Sequence, residues 1–145
     1  MTSADALEDG AFLAAFESAT LPESCFHHKD HVRAAFLLLR DVSPAEALVR
    51  FTEALKRFAA SLGKARLYHE TITWAYLLLI NERMERSGRA GRWEEFAESN
   101  ADLLSWKPSI LDAYYREETL RSDLARAVFV LPDRVAPSPG GRGPG

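Results

Sequence analysis

The chain has 145 residues and a mass of 16.2 kDa, which suits one ordinary domain and is too little for two well-packed ones. Hydrophobic residues make up 47% of it and charged residues 27%, a composition that supports a buried core and excludes a wholly disordered chain. A formal net charge of -3 argues against a general nucleic-acid-binding protein, and no apolar run reaches the roughly 20 residues that cross a bilayer.

The N-terminal segment and the cysteine content predict a cytoplasmic location. Residues 1–12 are acidic where a signal peptide would be basic, so we expect no export. The single cysteine, Cys25, excludes an internal disulfide and fits a reducing compartment. We therefore expect a cytoplasmic protein with neither a nucleic-acid partner nor a membrane partner.

Composition divides the chain into a helical domain at residues 1–135 and a tail at residues 136–145. The tail holds four of the eight glycines and three of the seven prolines, so we predict that it is disordered. The domain contains no long alternation of polar and apolar residues, which disfavours strands. The sequence predicts an all-α fold, a single compact bundle of about five to seven helices.

The first two helices are predicted from apolar spacing. A helix near residues 9–20 turns Phe12 and Phe16 inward. Residues 31–42 carry an apolar block from Ala34 to Leu39, which is typical of a helix buried on most of its circumference.

The third helix has the clearest signal and runs from about Pro44 to Leu62. Ser43 is a natural N-cap, Pro44 fits the first helical position and Glu46 completes a capping box. Gly63 supplies the end of the helix. A single apolar stripe follows three- and four-residue spacing along it: Leu48, Phe51, Leu55, Phe58 and Leu62.

The second half of the chain predicts further helices. Residues 69–87 form a fourth helix, with an apolar block from Trp74 to Ile80. Shorter patterns predict a fifth helix at Trp93, Phe96, Ala97 and Leu104, a sixth at 110–115 and a short turn at 122–127.

All four histidines lie in two short segments, each at the start of a buried helix. His27, His28 and His31 precede or begin the second helix, and His69 begins the fourth. If helices two, three and four run up, down and up, these two starts lie at the same end of the bundle. A helix N-terminus disfavours imidazolium, so it keeps the ring in the neutral form that a metal ligand or general base requires. We expect the two segments to meet across one cavity.

Three interpretations of the histidine cluster stay open. In the first, three imidazoles bind one divalent metal, zinc or iron, and a carboxylate or water completes the shell. The imidazoles are those of His28, His31 and His69, and the carboxylate is that of Asp30 or Glu70. In the second, His31 or His69 is a general acid or base. Polar side chains of the second segment then orient the substrate: Tyr68, Glu70, Thr71 and Thr73. In the third, the histidines pin helix ends by hydrogen bonds.

The segment Tyr68–Thr73 is polar where the next helical turn is wholly apolar. Helix capping explains its carboxylate and its first threonine. It does not explain an inward Thr73 on the same face as Tyr76. We therefore expect the substrate-binding residues Tyr68, Thr73 and Tyr76 to line a pocket.

Cys25 precedes His28 by three residues and allows two functional interpretations. It is either a ligand of a soft metal or a nucleophile that a histidine activates. The structural interpretation is an inert small hydrophobe, which is the usual role of a lone cysteine.

Three motifs in this chain resemble those of a family of small bacterial all-helical proteins. They are F-x-H-x-x-H-V-R-x-A at Phe26–Ala35, Y-H-E-T-I-T at Tyr68–Thr73 and A-R-x-x-F-V-x-P-D at Ala125–Asp133. The similarity covers most of residues 20–134. It implies a shared fold and shared motif positions, and it singles out His28 of the adjacent pair, but it implies no reaction.

We expect a small enzyme that acts on a small molecule. Its catalytic residues are His31, His69 and Glu70, its metal ligands are His28, His31 and His69, and the carboxylate is an acid–base group or fourth ligand. The alternative is a non-catalytic protein that binds a hydrophobic ligand or docks on an enzyme, and whose histidines are structural. A transcriptional regulator is disfavoured, because no basic recognition helix is present.

Overall fold

Eight α-helices and no strand occur in the part of the chain that the computed structural model describes, residues 7–89 and 91–134. At Cys25 the description covers the backbone alone, and the predicted tail at 136–145 lies outside the described residues. The helices are, in chain order, α1 (Asp9–Glu17), α2 (His28–Asp41), α3 (Pro44–Ser61), α4 (Glu70–Arg86), α5 (Trp93–Ser99), α6 (Ala101–Leu104), α7 (Glu117–Arg121) and α8 (Asp123–Ala127). The predicted all-α fold is confirmed.

Helix α2 is the centre of the bundle and packs against α1, α3, α4, α5 and α6. Every residue from Val32 to Leu39 is buried, so its apolar block is enclosed on all sides, as its composition predicts. Phe12 and Phe16 of α1 are also fully buried and face this core. A second, smaller apolar cluster joins the middle of α4 to the C-terminal segment through Tyr76 and Tyr115.

Helix α3 begins at Pro44 after the predicted N-cap Ser43 and ends at Ser61, one residue before the predicted end, but the predicted capping box does not form. The Ser43 hydroxyl accepts the backbone N–H of Glu46 at 3.2 Å. The Glu46 carboxylate does not complete the capping box, because it lies 3.9 Å from the Arg50 guanidinium on the next turn. Gly63 follows the helix with a φ of 70°, a left-handed conformation that glycine adopts without strain.

The C-terminal third is divided more finely than the sequence predicts. The expected fifth helix is interrupted at Asn100, whose side-chain amide donates to the Phe96 carbonyl at 2.9 Å and accepts from Arg83 at 2.8 Å. An asparagine that bonds to nearby backbone competes with continued helix, so α5 ends and α6 begins there. Residues 110–113 form a 3-10 turn, and the turn expected at 122–127 is helix α8, which Ser122 caps.

The short connections around α3 place the start of α2, the end of α3 and the start of α4 together at one end of the bundle. Residues from all three ends line one cavity there. This convergence is the arrangement that the up, down, up order of helices predicts. None of the described helices has the length and the apolar character that crossing a membrane demands.

Candidate functional site

A cavity of about 650 Å³ opens where α2 and α4 begin and α3 ends. This volume lies within the usual range for small-molecule sites. Its wall is mainly aliphatic and aromatic, with these apolar members: Phe26, Val32, Phe51, Leu55, Phe58, Ala59, Leu62, Leu67, Ile72, Ile80 and Trp106. The cavity therefore suits a molecule with a substantial apolar body.

Most of the site residues that the sequence suggests lie on this wall. The cavity brings together the three expected metal-ligating histidines and the three expected substrate-binding residues: His28, His31, His69, Tyr68, Thr73 and Tyr76. The expected acidic partners, Asp30 and Glu70, are not among the lining residues. Asp30 instead accepts the backbone N–H of His27 at 2.8 Å and so caps the start of α2.

His31 is partly buried beside Phe26, with 4.4 Å between the two ring centroids. Neither of its ring nitrogens has a hydrogen-bond partner among the residues that the structure describes. Burial, reinforced by His28 and His27, lowers the pKa of His31 to about 3. The ring is therefore neutral at physiological pH, with one donor and one acceptor nitrogen available to a molecule in the cavity.

His28 packs beside the rings of Tyr76 and Trp106, at centroid distances of 4.7 Å and 5.0 Å. Its Nε2 donates to the carbonyl oxygen of Leu103 at 2.9 Å. A carbonyl only accepts, so this bond places the proton on Nε2 and leaves Nδ1 as an acceptor in the neutral ring. Burial lowers the pKa of His28, and the bond to the Leu103 carbonyl opposes that shift in part.

Both ring nitrogens of His69 are occupied by backbone groups. Nδ1 accepts the N–H of Ile72 at 3.1 Å and thereby caps α4, while Nε2 donates to the Leu120 carbonyl at 2.6 Å. Burial lowers the pKa of His69, the Leu120 bond opposes that shift and the charge of Arg126 adds to it. While these bonds hold, His69 has no lone pair for a metal or a proton. This arrangement agrees with the structural interpretation of that residue.

The hydroxyls near His69 are also engaged locally. Tyr68 donates to the Glu70 carboxylate at 2.6 Å, and Thr73 donates to the His69 carbonyl at 2.7 Å. The Tyr76 hydroxyl lies 2.7 Å from the Ser109 hydroxyl, and either group can donate. Burial is the main cause that raises the pKa of Tyr68 and of Tyr76, so both phenols remain protonated.

The third motif forms a C-terminal strap, residues 128–133, that lies against α4. Thr71 is fully buried, donates to the Val128 carbonyl at 2.8 Å and accepts the Val130 N–H at 3.0 Å. The Tyr115 hydroxyl donates to the Val130 carbonyl at 2.7 Å. Asp133 accepts from the Thr119 hydroxyl and, at 2.9 Å, from the Arg116 N–H, and these two bonds lower the pKa of its carboxyl. Thr71, which the sequence suggests as a substrate-orienting residue, binds this strap instead.

Sequence reasoning missed the charged residues of the cavity, Glu23, Lys64 and Arg126. Lys64 forms an ion pair with Glu23. Arg126 belongs to the third motif, and its Nη1 lies 3.5 Å from the carbonyl oxygens of Arg66 and Leu67. The third motif singles out Arg126, but its spacing does not place this residue at the cavity. The position of Arg126 depends on how the C-terminal segment folds back onto α4.

Among the described residues, no group of three or more His, Cys, Asp or Glu side chains has the arrangement of a metal site. The rings of His28 and His31 lie 6.4 Å apart, centroid to centroid. Metal binding by His28, His31 and His69 stays a prediction, as do the two functional interpretations of Cys25, whose side chain lies outside the description.

Comparisons with protein-family models, with curated proteins and with solved structures find no match to this chain. The likeness of the three motifs to bacterial helical proteins therefore remains a resemblance. The function must be inferred from the cavity itself, its unpaired neutral imidazole and its charged rim.

Proposed function

We propose that the protein binds a small, largely apolar molecule in the cavity at the starts of α2 and α4, with His31 as a polar contact. The observation that carries this proposal is the neutral His31 ring, whose nitrogens have no partner among the described residues although the cavity wall is mainly apolar. Small-molecule sites combine an apolar wall with a few polar groups that fix orientation. One hydrogen bond to His31 orients a ligand in this way.

Binding is better supported than proton transfer at this residue. A general base works best when its pKa lies near the operating pH, and the pKa of His31 is about 3. A base that weak accepts a proton poorly at neutral pH. The same low pKa keeps both a donor and an acceptor nitrogen on the ring, which suits recognition of a hydroxyl, a carbonyl or an amine.

Acid–base catalysis on a small molecule is the second candidate, because two imidazoles lie on one wall. His28 and His31 are 6.4 Å apart, centroid to centroid, and the Nδ1 of His28 is an acceptor. A negatively charged substrate beside the rings would raise their pKa values and make them better proton acceptors. Turnover that is lost in His31→Phe, while binding of the substrate persists, would favour this candidate.

The test of binding is a pair of tryptophan variants on α3, one that fills the cavity and one that does not. Ala59 lines the cavity, whereas Ala60, the next residue, is exposed and does not line it. The probe is N-phenyl-1-naphthylamine, a neutral aromatic amine whose fluorescence rises in an apolar site. We expect Ala59→Trp to weaken probe binding at least about tenfold, because the indole occupies the cavity, and Ala60→Trp to leave it unchanged.

A second variant tests the polar contact. His31→Phe keeps a ring of similar size beside Phe26 and removes both nitrogens. We expect probe affinity to fall about three- to tenfold, the usual net value of one hydrogen bond. Probe that does not bind the wild-type protein, or that binds Ala59→Trp and Ala60→Trp equally well, would refute the proposed site.

A further inference from the structure

The positive and negative side chains on the cavity wall do not balance. Three charged side chains line it, and two of them, Lys64 and Glu23, form an ion pair and cancel each other. The third, Arg126, is partly buried in the last turn of α8. Burial lowers the pKa of His28, His31 and His69, so these three lining histidines add no positive charge at neutral pH. The wall thus carries one net positive charge, on Arg126.

Arg126 differs from most arginines of this protein in its partners. Eight described arginines lie within ion-pair distance of a carboxylate: Arg33, Arg40, Arg50, Arg83, Arg86, Arg89, Arg92 and Arg121. Arg126 forms no ion pair within the described ranges, and its contacts to two backbone carbonyls are both long, at 3.5 Å. A guanidinium has five N–H donors in a fixed fork that matches a carboxylate. Most of that capacity is unused at the cavity wall.

The surroundings of Arg126 hold it in place. It follows Ala125, which is fully buried, on a helix that packs against α4. Its charge acts on His69, where it contributes to the lowered pKa of that ring. His69 cannot neutralise Arg126, because a neutral imidazole with both nitrogens bonded carries no negative charge. An anion from outside the chain is therefore the group that this wall lacks.

We infer that the ligand is an amphipathic carboxylic acid, whose carboxylate pairs with Arg126 and whose apolar body fills the cavity. A single guanidinium suits a monoanion, and the aliphatic and aromatic wall suits an alkyl or aryl body. This inference rests on the proposed function, because Arg126 can recognise a carboxylate only on a molecule that enters the cavity.

The experiment compares two probes that share one body and differ in charge, decanoate and decanol. Each displaces N-phenyl-1-naphthylamine from the wild-type protein, from Arg126→Gln and from Arg121→Gln. Arg121 is an exposed arginine five residues earlier and serves as the matched control. We expect decanoate to displace the probe from the wild-type protein at a concentration at least about tenfold lower than decanol. Thermal denaturation of each variant verifies that it is folded.

In Arg126→Gln we expect decanoate to lose this advantage while decanol is unaffected, and in Arg121→Gln we expect both to behave as in the wild-type protein. Raising the salt concentration should weaken decanoate alone, because screening acts on the charge pair. Equal displacement by decanoate and decanol in the wild-type protein, or a preference that survives in Arg126→Gln, would overturn the inference and leave the proposed cavity intact. Failure of the neutral probe itself to bind would overturn the proposed function instead.

Discussion

The His69 ring joins two parts of the chain that are 51 residues apart, through its Nε2 bond of 2.6 Å to the carbonyl oxygen of Leu120. The same ring caps α4 through Nδ1. One neutral side chain thus fixes the start of α4 and ties it to the end of α7. His69 therefore lines the cavity but has a structural role there.

Replacement of His69 tests this structural role. His69→Ala removes the cap of α4 and leaves the Leu120 carbonyl without its partner, so we expect a loss of about 2–3 kcal/mol in the free energy of unfolding. Urea denaturation at pH 7 measures it. Glu98→Ala is the control, since that side chain is exposed on α5 and caps no helix. Equal stability of the two variants would contradict the role of His69 as a structural tie.

The bonds of His69 also bear on the metal hypothesis. To ligate zinc or iron together with His28 and His31, the ring must give up either Ile72 or Leu120. We therefore expect protein purified without a polyhistidine tag to retain well below one equivalent of zinc or iron, by elemental analysis after dialysis. Stoichiometric metal that is lost in both His28→Ala and His69→Ala would contradict this expectation and support the metal centre.

Local patterns predicted much of the fold and some of the site. The cap at Ser43 and the apolar block of α2 are encoded within a few residues, and so is the position of each histidine at a helix start. The hydrogen bonds and the proton position of each histidine ring depend instead on residues far away in the sequence. His28 bonds to Leu103, 75 residues away, and that contact cannot be read from spacing.

The presence of Arg126 at the cavity could not be predicted from the sequence, for the same reason. Arg126 lies 57 positions beyond His69 in the chain, and it reaches the cavity because the strap after α8 is fastened to α4. The break at Asn100 likewise depends on a bond to Arg83 of another helix. This tertiary bond acts together with the local bond of the Asn100 amide to the Phe96 carbonyl, which competes with a continuous helix.

The strap itself depends on Thr71. Thr71→Val keeps the shape of the side chain but leaves the Val128 carbonyl and the Val130 N–H without their partner. We expect the free energy of unfolding to fall by about 1–3 kcal/mol, because two partly buried backbone groups lose their hydrogen bonds. Thr52→Val is the matched control, because that hydroxyl bonds only to the Val49 carbonyl of its own helix on an exposed surface, and we expect it to change stability by less than about 0.5 kcal/mol. Equal effects of the two variants in urea denaturation would rule out the strap as a stabilising contact.

The lowered pKa values predict that the protein loses stability as the pH falls below 6.5. Burial is the main cause of the lowered pKa at His28, His31 and His69, so the unfolded chain takes up protons at these rings before the folded chain does. Stability from this source is complete above the unfolded value of 6.5 and declines towards the folded value, which is about 3 for His31.

His31 alone should account for a loss of about 2 kcal/mol between pH 7 and pH 5, since each unit of pH between the two pKa values costs about 1.4 kcal/mol. Urea denaturation at both pH values measures it, and His31→Phe isolates it, because the remaining titrating groups are shared with the wild-type protein. We expect the decline between the two pH values to be smaller by that amount in His31→Phe. An equal decline of the free energy of unfolding in the two proteins would mean that water in the cavity hydrates His31 and allows its protonation. In that case His31 would not be a neutral contact for a bound ligand.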